Sequence, residues 1–414
     1  MNPFKEIPKD TKLNYFNWQN LALKPYDKKS TGPYTKTRVI LMNGTEFESN
    51  WFLHHLNRHC LNNEIRRAVA EVRRQEQQQQ KRIASLRPIN ETILETTIAY
   101  EQLAVDLTAE IASKEPKSFV KKQLDFALLE DFDHLYRYSD LLDMEEGVKG
   151  EILVGGYTEI TPGRPTISAH RHPHDDIRHY INDWRDDLIT RLHVGIITAA
   201  EQQTMNYYMN VANLYHSDQG RKLYTEIAMI EEQHVTGYGS LMDPSCTLLE
   251  GWVMHEYTEC YLYYSCIQDE SDPYIKKVWE EHFNQELKHL KIASDLLLKY
   301  EGRDFNQLFP TAEFPSLIKL HDNKEYVRKV MNDVRLTGYK EDTLPVDDLP
   351  DSADFFRYQR QVNSNVNQVA SHVVIDKYIG KNGKDYRYEV KQSAEKSLRD
   401  RKVDNTELGR KKGI

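Results

Sequence analysis

The sequence predicts an all-α protein of helical hairpins centred on a four-helix bundle. Three observations carry that prediction. An acid-and-histidine pattern recurs at one spacing, each recurrence is centred on turn-forming residues, and apolar residues flank it at helical intervals. Glu101 precedes Asp131 and His134, Glu201 precedes Glu231 and His234, and Glu256 precedes Glu286 and His289. The two acids stand thirty apart each time (131−101, 231−201, 286−256), and the histidine follows three later. Residues at i and i+3 share one face of a helix, so each such pair can grip one metal ion.

Chance supplies about 16 × 64/414, or two to three, carboxylate–histidine pairs at that spacing. The spacing therefore needs context, and the midpoints provide it. They fall on Glu115-Pro116, beside Ser217-Asp218-Gln219-Gly220, and on Ser271-Asp272-Pro273, while Asp243-Pro244-Ser245 separates the last two hairpins. Pro, Gly and capping Asp or Ser end one helix and start the next. Residues equidistant from the turn of an antiparallel pair lie at one height, roughly 19–23 Å from it at ~1.5 Å per residue.

In chain order, residues 1–45 read as an extended arm and residues 46–145 as a helical region that includes the first hairpin. The polar run Glu71 to Arg82, with Gln77 to Gln80, reads as a solvated helix face. Residues 146–184 form a connector with some β character around Glu151–Ile160, residues 185–302 four successive helices, and residues 303–414 a charged arm. That arm wraps the body or a neighbour and ends in the basic tip Arg410, Lys411 and Lys412.

The net charge of −9 and pI near 6.0 argue against a nucleic-acid partner. No apolar leader or membrane-spanning run is present, so a cytoplasmic protein is expected. Cys60, Cys246, Cys260 and Cys266 form no C-x-x-C pair and read as buried, reduced thiols.

Four inward carboxylates and two histidines are candidate metal ligands: Glu201, Glu231, His234, Glu256, Glu286 and His289. Buried ionised carboxylates cost several kcal/mol each unless cations neutralise them. Mixed oxygen and imidazole donors suit iron or manganese. Matched turn midpoints predict that the six converge in one pocket.

At these residues the region 185–301 resembles the ferritin-like di-iron carboxylate superfamily, whose bundles combine two lone glutamates with two Glu-x-x-His pairs. Glu201-Gln-Gln-Thr-Met-Asn-Tyr-Tyr208 is similar to the first helix of rubrerythrins, and Glu256-Tyr-Thr-Glu-Cys-Tyr261 to their third. Val253 stands where rubrerythrins carry an additional carboxylate, and no rubredoxin-like module is present. The resemblance implies a ferritin-like four-helix bundle with an additional hairpin and terminal arms. It implies two iron ions, alternatively manganese, and oxidoreductase chemistry on peroxide or dioxygen with an electron donor. Glu231 or Glu286 would bridge the ions, with Glu201 and Glu256 as terminal ligands. Tyr208 and Glu259 are candidate catalytic residues, Glu259 serving as a shifting ligand or from behind the ligands. Metal storage or a non-catalytic scaffold is the alternative, and a homo-oligomer stays open.

Three features stand beside this. The first hairpin, with Glu101, Asp131 and His134, is expected as scaffold, with a site completed by another subunit as the alternative. The loop bearing His170, His172, His174, Asp175, Asp176 and His179 reads as an exposed polar loop, a metal site, or a supplier of groups to the bundle. Tyr257, Tyr261, Tyr263 and Tyr264 read as core wedges, with electron transfer as the alternative.

Overall fold

The computed structural model describes residues 1–9, 12–182, 186–383, 387 and 408–411. Lys412 of the expected basic tip lies outside the described residues. Long helices dominate: α1 (Pro33–His59), α2 (Asn63–Ser85), α3 (Ile93–Lys114), α4 (Ser118–Glu146), α5 (Leu188–Leu214), α6 (Asp218–Ser240), α7 (Leu248–Asp269) and α8 (Pro273–Glu301). The fold is all-α, and the sheet among the described residues is one antiparallel pair, β1 (Leu336–Tyr339) with β2 (Asp342–Pro345). The expected β character at Glu151–Ile160 is replaced by a helical turn, Gly150–Leu153. No described helix is long and apolar enough to cross a membrane.

Capping explains where the helices begin and end. Thr92 and Thr247 each close a capping box with the glutamate three residues on, Glu95 and Glu250. Each hydroxyl also donates 2.9 Å to a glutamate at the far end of its hairpin, Glu146 and Glu301. Gly147 and Gly302 then end α4 and α8 in the left-handed region, at φ 69° and 65°, where a glycine has no Cβ penalty.

These paired details expose a longer repeat. Glu46, Glu76, Glu101 and Asp131 recur as Glu201, Glu231, Glu256 and Glu286, each 155 residues later (201−46, 231−76, 256−101, 286−131). Thus α1–α4 and α5–α8 are two copies of one four-helix segment.

The chain divides into two compact units that cut across the copies. Unit 1 comprises residues 1–91, 180–203 and 242–320; unit 2 comprises 92–179, 204–241 and 321–414. In unit 1 the α1–α2 hairpin packs on α7–α8, α1 against α7 and α2 against α8. In unit 2, α3 pairs with α4, α4 packs on α6, and α10 (Ala370–Asn382), the helix after α9 (Asp354–Val362), lies on both. The expected four-helix domain at 185–302 is therefore divided: α7–α8 belong to unit 1 and α6 to unit 2. The N-terminal arm is also shorter than expected, because Gly32-Pro33 starts α1 within it. Residues 321–383 fold onto unit 2, where Arg137 donates to the Ser371 carbonyl at 2.9 Å.

Candidate metal centres

In unit 1, ligand atoms of Glu76, Glu256, Glu286 and His289 lie within 4.8 Å of one another, and all four residues are buried. Two ligands of one ion at about 2.2 Å stand at most about 4.4 Å apart, so small side-chain shifts close the gap. His289 Nδ1 is 2.9 Å from Glu286 Oε2 and 3.7 Å from both Glu76 Oε1 and Glu256 Oε2.

The other ring nitrogen fixes the orientation of the ring. Gln75 donates its amide to the Asn14 carbonyl in the N-terminal arm, which leaves Gln75 Oε1 to accept from His289 Nε2 at 2.9 Å. Nδ1 then faces the acids, where burial opposes the imidazole's charge but Glu286 and Glu76 favour it and raise His289 above its ordinary value. The ring is oriented from behind as metal-bound imidazoles are. Around them, Gln79 donates to Glu286, Tyr263 donates to Glu46, and Trp252 donates to Glu256 Oε1 at 2.5 Å.

The acids crowd without a neighbouring lysine or arginine partner among these contacts. Burial, then Glu286 and Glu76, raises Glu46 well above the usual carboxylate range. Burial pushes Glu76 up to about 7, and burial with Glu76 and Glu286 raises Glu256. Glu259 is raised by burial and by Glu286, Glu76, Glu46 and Glu256. Neither Glu259 oxygen nor Glu46 Oε2 has a hydrogen-bond partner among the described residues. Orphaned carboxylate oxygens at zero to 1% exposure fit a cation's ligands. Glu259 also lines a cavity of about 260 Å³, whose largely apolar wall includes Phe52, Ile196, Met254, His255 and Leu262.

Unit 2 holds a second cluster. Ligand atoms of Glu101, His134 and Glu231 lie within 4.8 Å of one another, and so do those of Asp131, Glu231 and His234. Glu231 spans the two imidazoles: Oε1 is 3.0 Å from His134 Nδ1, and Oε2 is 3.1 Å from His234 Nδ1. Burial opposes the charge on Glu231, but His134 and His234 hold it well below the usual range. His234 Nε2 faces Glu130 Oε2 at 2.8 Å, which turns Nδ1 toward Glu231 and toward Asp131 Oδ1 at 3.3 Å.

Glu130 is anchored in turn by Arg171 at 3.0 Å and Arg164 at 3.2 Å, both fully buried. Burial opposes its charge too, yet Arg171, His234 and Arg164 bring its carboxyl down to about 2. Arg171 comes from the histidine-rich loop, so that loop supplies groups to the bundle instead of an exposed polar surface. His172, His174 and His179 stay outside the cluster.

The six expected ligands thus do not gather in one pocket. Glu256, Glu286 and His289 meet in unit 1 with Glu76; Glu231 and His234 meet in unit 2 with Glu101, Asp131 and His134. The first hairpin, expected as scaffold, supplies Glu101, Asp131 and His134 to the second cluster. Glu201 is buried on α5, shortly before that helix passes from unit 1 to unit 2. Tyr208 is buried in unit 2 and donates 2.5 Å to Glu101 Oε1. Cys260 and Cys266 are buried as expected, whereas Cys60 and Cys246 are half-buried.

Sequence reasoning missed Glu46, on α1, and Gln75 and Glu76, which sit in the run read as solvated. The signal was present: Glu46 and Glu76 are thirty apart (76−46), and Gln79 stands three later where the other hairpins have histidine. No protein-family model matches this chain, and no curated protein or solved structure matches it either.

Proposed function

We propose that the protein is a ferritin-like, non-haem metal-carboxylate oxidoreductase with one centre in each unit, acting on peroxide or dioxygen. The observation that carries this reading is the preset imidazole: His289 and His234 each turn Nδ1 toward clustered carboxylates while Nε2 is held from behind by Gln75 or Glu130. Unit 1 would hold its metal with Glu76, Glu256, Glu286 and His289, and unit 2 with Glu101, Asp131, His134, Glu231 and His234. Two irons, or manganese, suit the mixed donors. Bound metal would supply Lewis acidity and redox capacity toward a small oxidant.

The residues contribute the rest. The acids offer a dry, anionic cage; Gln75 and Glu130 hold the imidazoles; and Glu259 stands where a carboxylate can swing between cavity and metal. The cavity against Glu259 favours turnover over storage for unit 1, because a stored ion needs no apolar approach.

The test is elemental analysis of the chain purified from its host, with an optical spectrum of the oxidised form. Iron or manganese is expected in an amount that matches a loaded centre in each unit. Protein that retains no transition metal, even after anaerobic loading, overturns the reading.

A further inference from the structure

The cavity of about 260 Å³ lies wholly within unit 1, walled by residues of α1, α5 and α7. Its size approaches the roughly 300 Å³ at which small-molecule pockets begin. Phe52, Ile196, Met254 and Leu262 make much of the wall apolar, and the exposed Thr247 marks its mouth.

The polar groups of the wall are mainly acceptors. Thr45 and Thr258 donate their hydroxyl protons to carbonyls of their own helices, Leu41 at 3.0 Å and Met254 at 2.8 Å. Both hydroxyl oxygens are left with acceptor capacity. Arg191 donates to the Leu308 carbonyl at 2.9 Å, with its guanidinium over the Phe309 ring. Glu48 and Glu259 add two carboxyls to the wall. Neither Glu259 oxygen has a hydrogen-bond partner among the described residues. Burial alone pushes Glu48 up to about 7, with no cationic side chain to offset it among the described residues. Unanswered acceptors in an apolar cavity call for a ligand that brings donors.

The 155-residue repeat separates what the scaffold needs from what this cavity needs. Phe52 packs on His255 with ring centroids 4.2 Å apart, and the corresponding Tyr207 and Tyr100 stand 4.3 Å apart (207−155, 100+155). That aromatic pair is common to both copies. Gly195, Glu48, Thr258 and Glu259, by contrast, correspond to Ile40, Gln203, Leu103 and Ala104 (195−155, 48+155, 258−155, 259−155). Room and acceptors therefore belong to unit 1 alone. A Cβ at Gly195 would meet no atom within 4 Å, and glycine inside a helix is less stable than alanine. The chain keeps the space despite that loss.

We propose that this cavity binds a small primary amine with an apolar alkyl or aryl body, its ammonium group held by the acids. Three acids of the wall, Glu48, Glu259 and Asp243, disfavour organic carboxylates and phosphate esters of the same shape. The site goes beyond the oxidant named above and needs no metal, because every group that recognises the amine belongs to the chain.

Calorimetric titration of the full chain with phenethylamine tests the site, with phenethyl alcohol and phenylacetate as controls of matched body. Each is run on protein as isolated and after chelation and dialysis. Phenethylamine should bind one site per chain in both, at least about tenfold more tightly than either control. Glu48→Gln keeps the side chain's size and should weaken amine binding by about tenfold. Gly195→Leu puts a side chain into the open space and should abolish binding. Glu48→Gln keeps the test decisive if Gly195→Leu fails to fold. No binding of phenethylamine, equal affinity for phenylacetate, or undiminished amine affinity in Glu48→Gln overturns the proposal. Amine binding that disappears on chelation also overturns it, because the amine then sits on a metal ion. Elemental analysis decides the metal reading separately.

Discussion

In unit 1, Glu46, Glu76, Glu256 and Glu259 are all held above the usual carboxylate range by burial and by one another. In unit 2, Glu231 is held below that range between two imidazoles, and Glu130 behind it is brought to about 2 by two buried guanidiniums. Both clusters come from the same repeated hairpins, and the contrast comes from exchanges along them together with Arg164 and Arg171, which the connector brings to unit 2. Gln79 in unit 1 stands where unit 2 has His234, and neutral Gln75 orients His289 where charged Glu130 orients His234. One centre is starved of positive charge and stands beside Glu259, which lines a cavity; in the other, Glu101 accepts from Tyr208. The same scaffold supports two different chemical settings.

The largest test of this contrast removes one cluster at a time. Glu286→Ala with His289→Ala should abolish metal in unit 1 and spare unit 2, and Glu231→Ala with His234→Ala should do the reverse. Elemental analysis per chain should fall by about half in each pair. Complete loss from either pair would show that the clusters load as one.

Next comes the support behind the imidazoles. Glu130→Gln leaves Arg164 without its carboxylate and Arg171 with Asp176 alone, and should cost about 3–5 kcal/mol in urea unfolding. Gln75→Leu should cost only about 1 kcal/mol of stability. Its main effect should be a loss of about 10–100-fold in unit 1 metal affinity, read by competition with a chelator. Equal stability losses would erase the distinction between charged and neutral support.

The pH response separates the units by sign. A carboxyl raised from its ordinary 4.5 to about 7, as Glu76 is, keeps extra protons in the folded state. Its favourable contribution is present at low pH and is lost as pH rises through about 7. Metal-free protein should therefore show faster hydrogen exchange in α7 and α8 at pH 8 than expected from intrinsic rates at pH 5, and metal should suppress the difference. Glu231, depressed by His134 and His234, should give α6 the opposite trend, losing protection as pH falls below the ordinary carboxylate value. Parallel trends in α6 and α8 would sink the electrostatic contrast.

The smallest effect tests the repeat itself. Thr92→Ala and Thr247→Ala each remove a capping box and a 2.9 Å bond to the end of the same hairpin. Each should cost about 1 kcal/mol, and the two losses should agree. A large disagreement would mean that the copies have diverged locally as well as at their clusters.

Much of this was legible without coordinates. The thirty-residue spacing gave helical hairpins, and proline, aspartate and glycine marked their turns. Glu231, His234, Glu256, Glu286 and His289, expected as metal ligands, do lie in buried acid–histidine clusters. The run Glu71 to Arg82 was misread because five of its twelve positions, 75 and 77 to 80, are glutamine, a composition that ordinarily marks a solvated face. Yet Gln75, Glu76 and Gln79 are buried, their polar groups directed at His289 and Glu286.

The sequence by itself determined the heights of the acids along each hairpin, because helical rise and turn position are local properties of the chain. Tertiary structure alone decided which hairpin faces which. Adjacent hairpins could have closed on each other, α1–α2 on α3–α4 and α5–α6 on α7–α8, with every spacing unchanged. Instead α1–α2 packs on α7–α8, and α3–α4 packs with α6. Contacts distant in sequence specify that choice: Gln79 to Glu286, Gln75 to His289, and Glu130 to His234. Each is a buried polar group whose partner comes from the other hairpin, and leaving such a group unpaired costs about 1–3 kcal/mol or more.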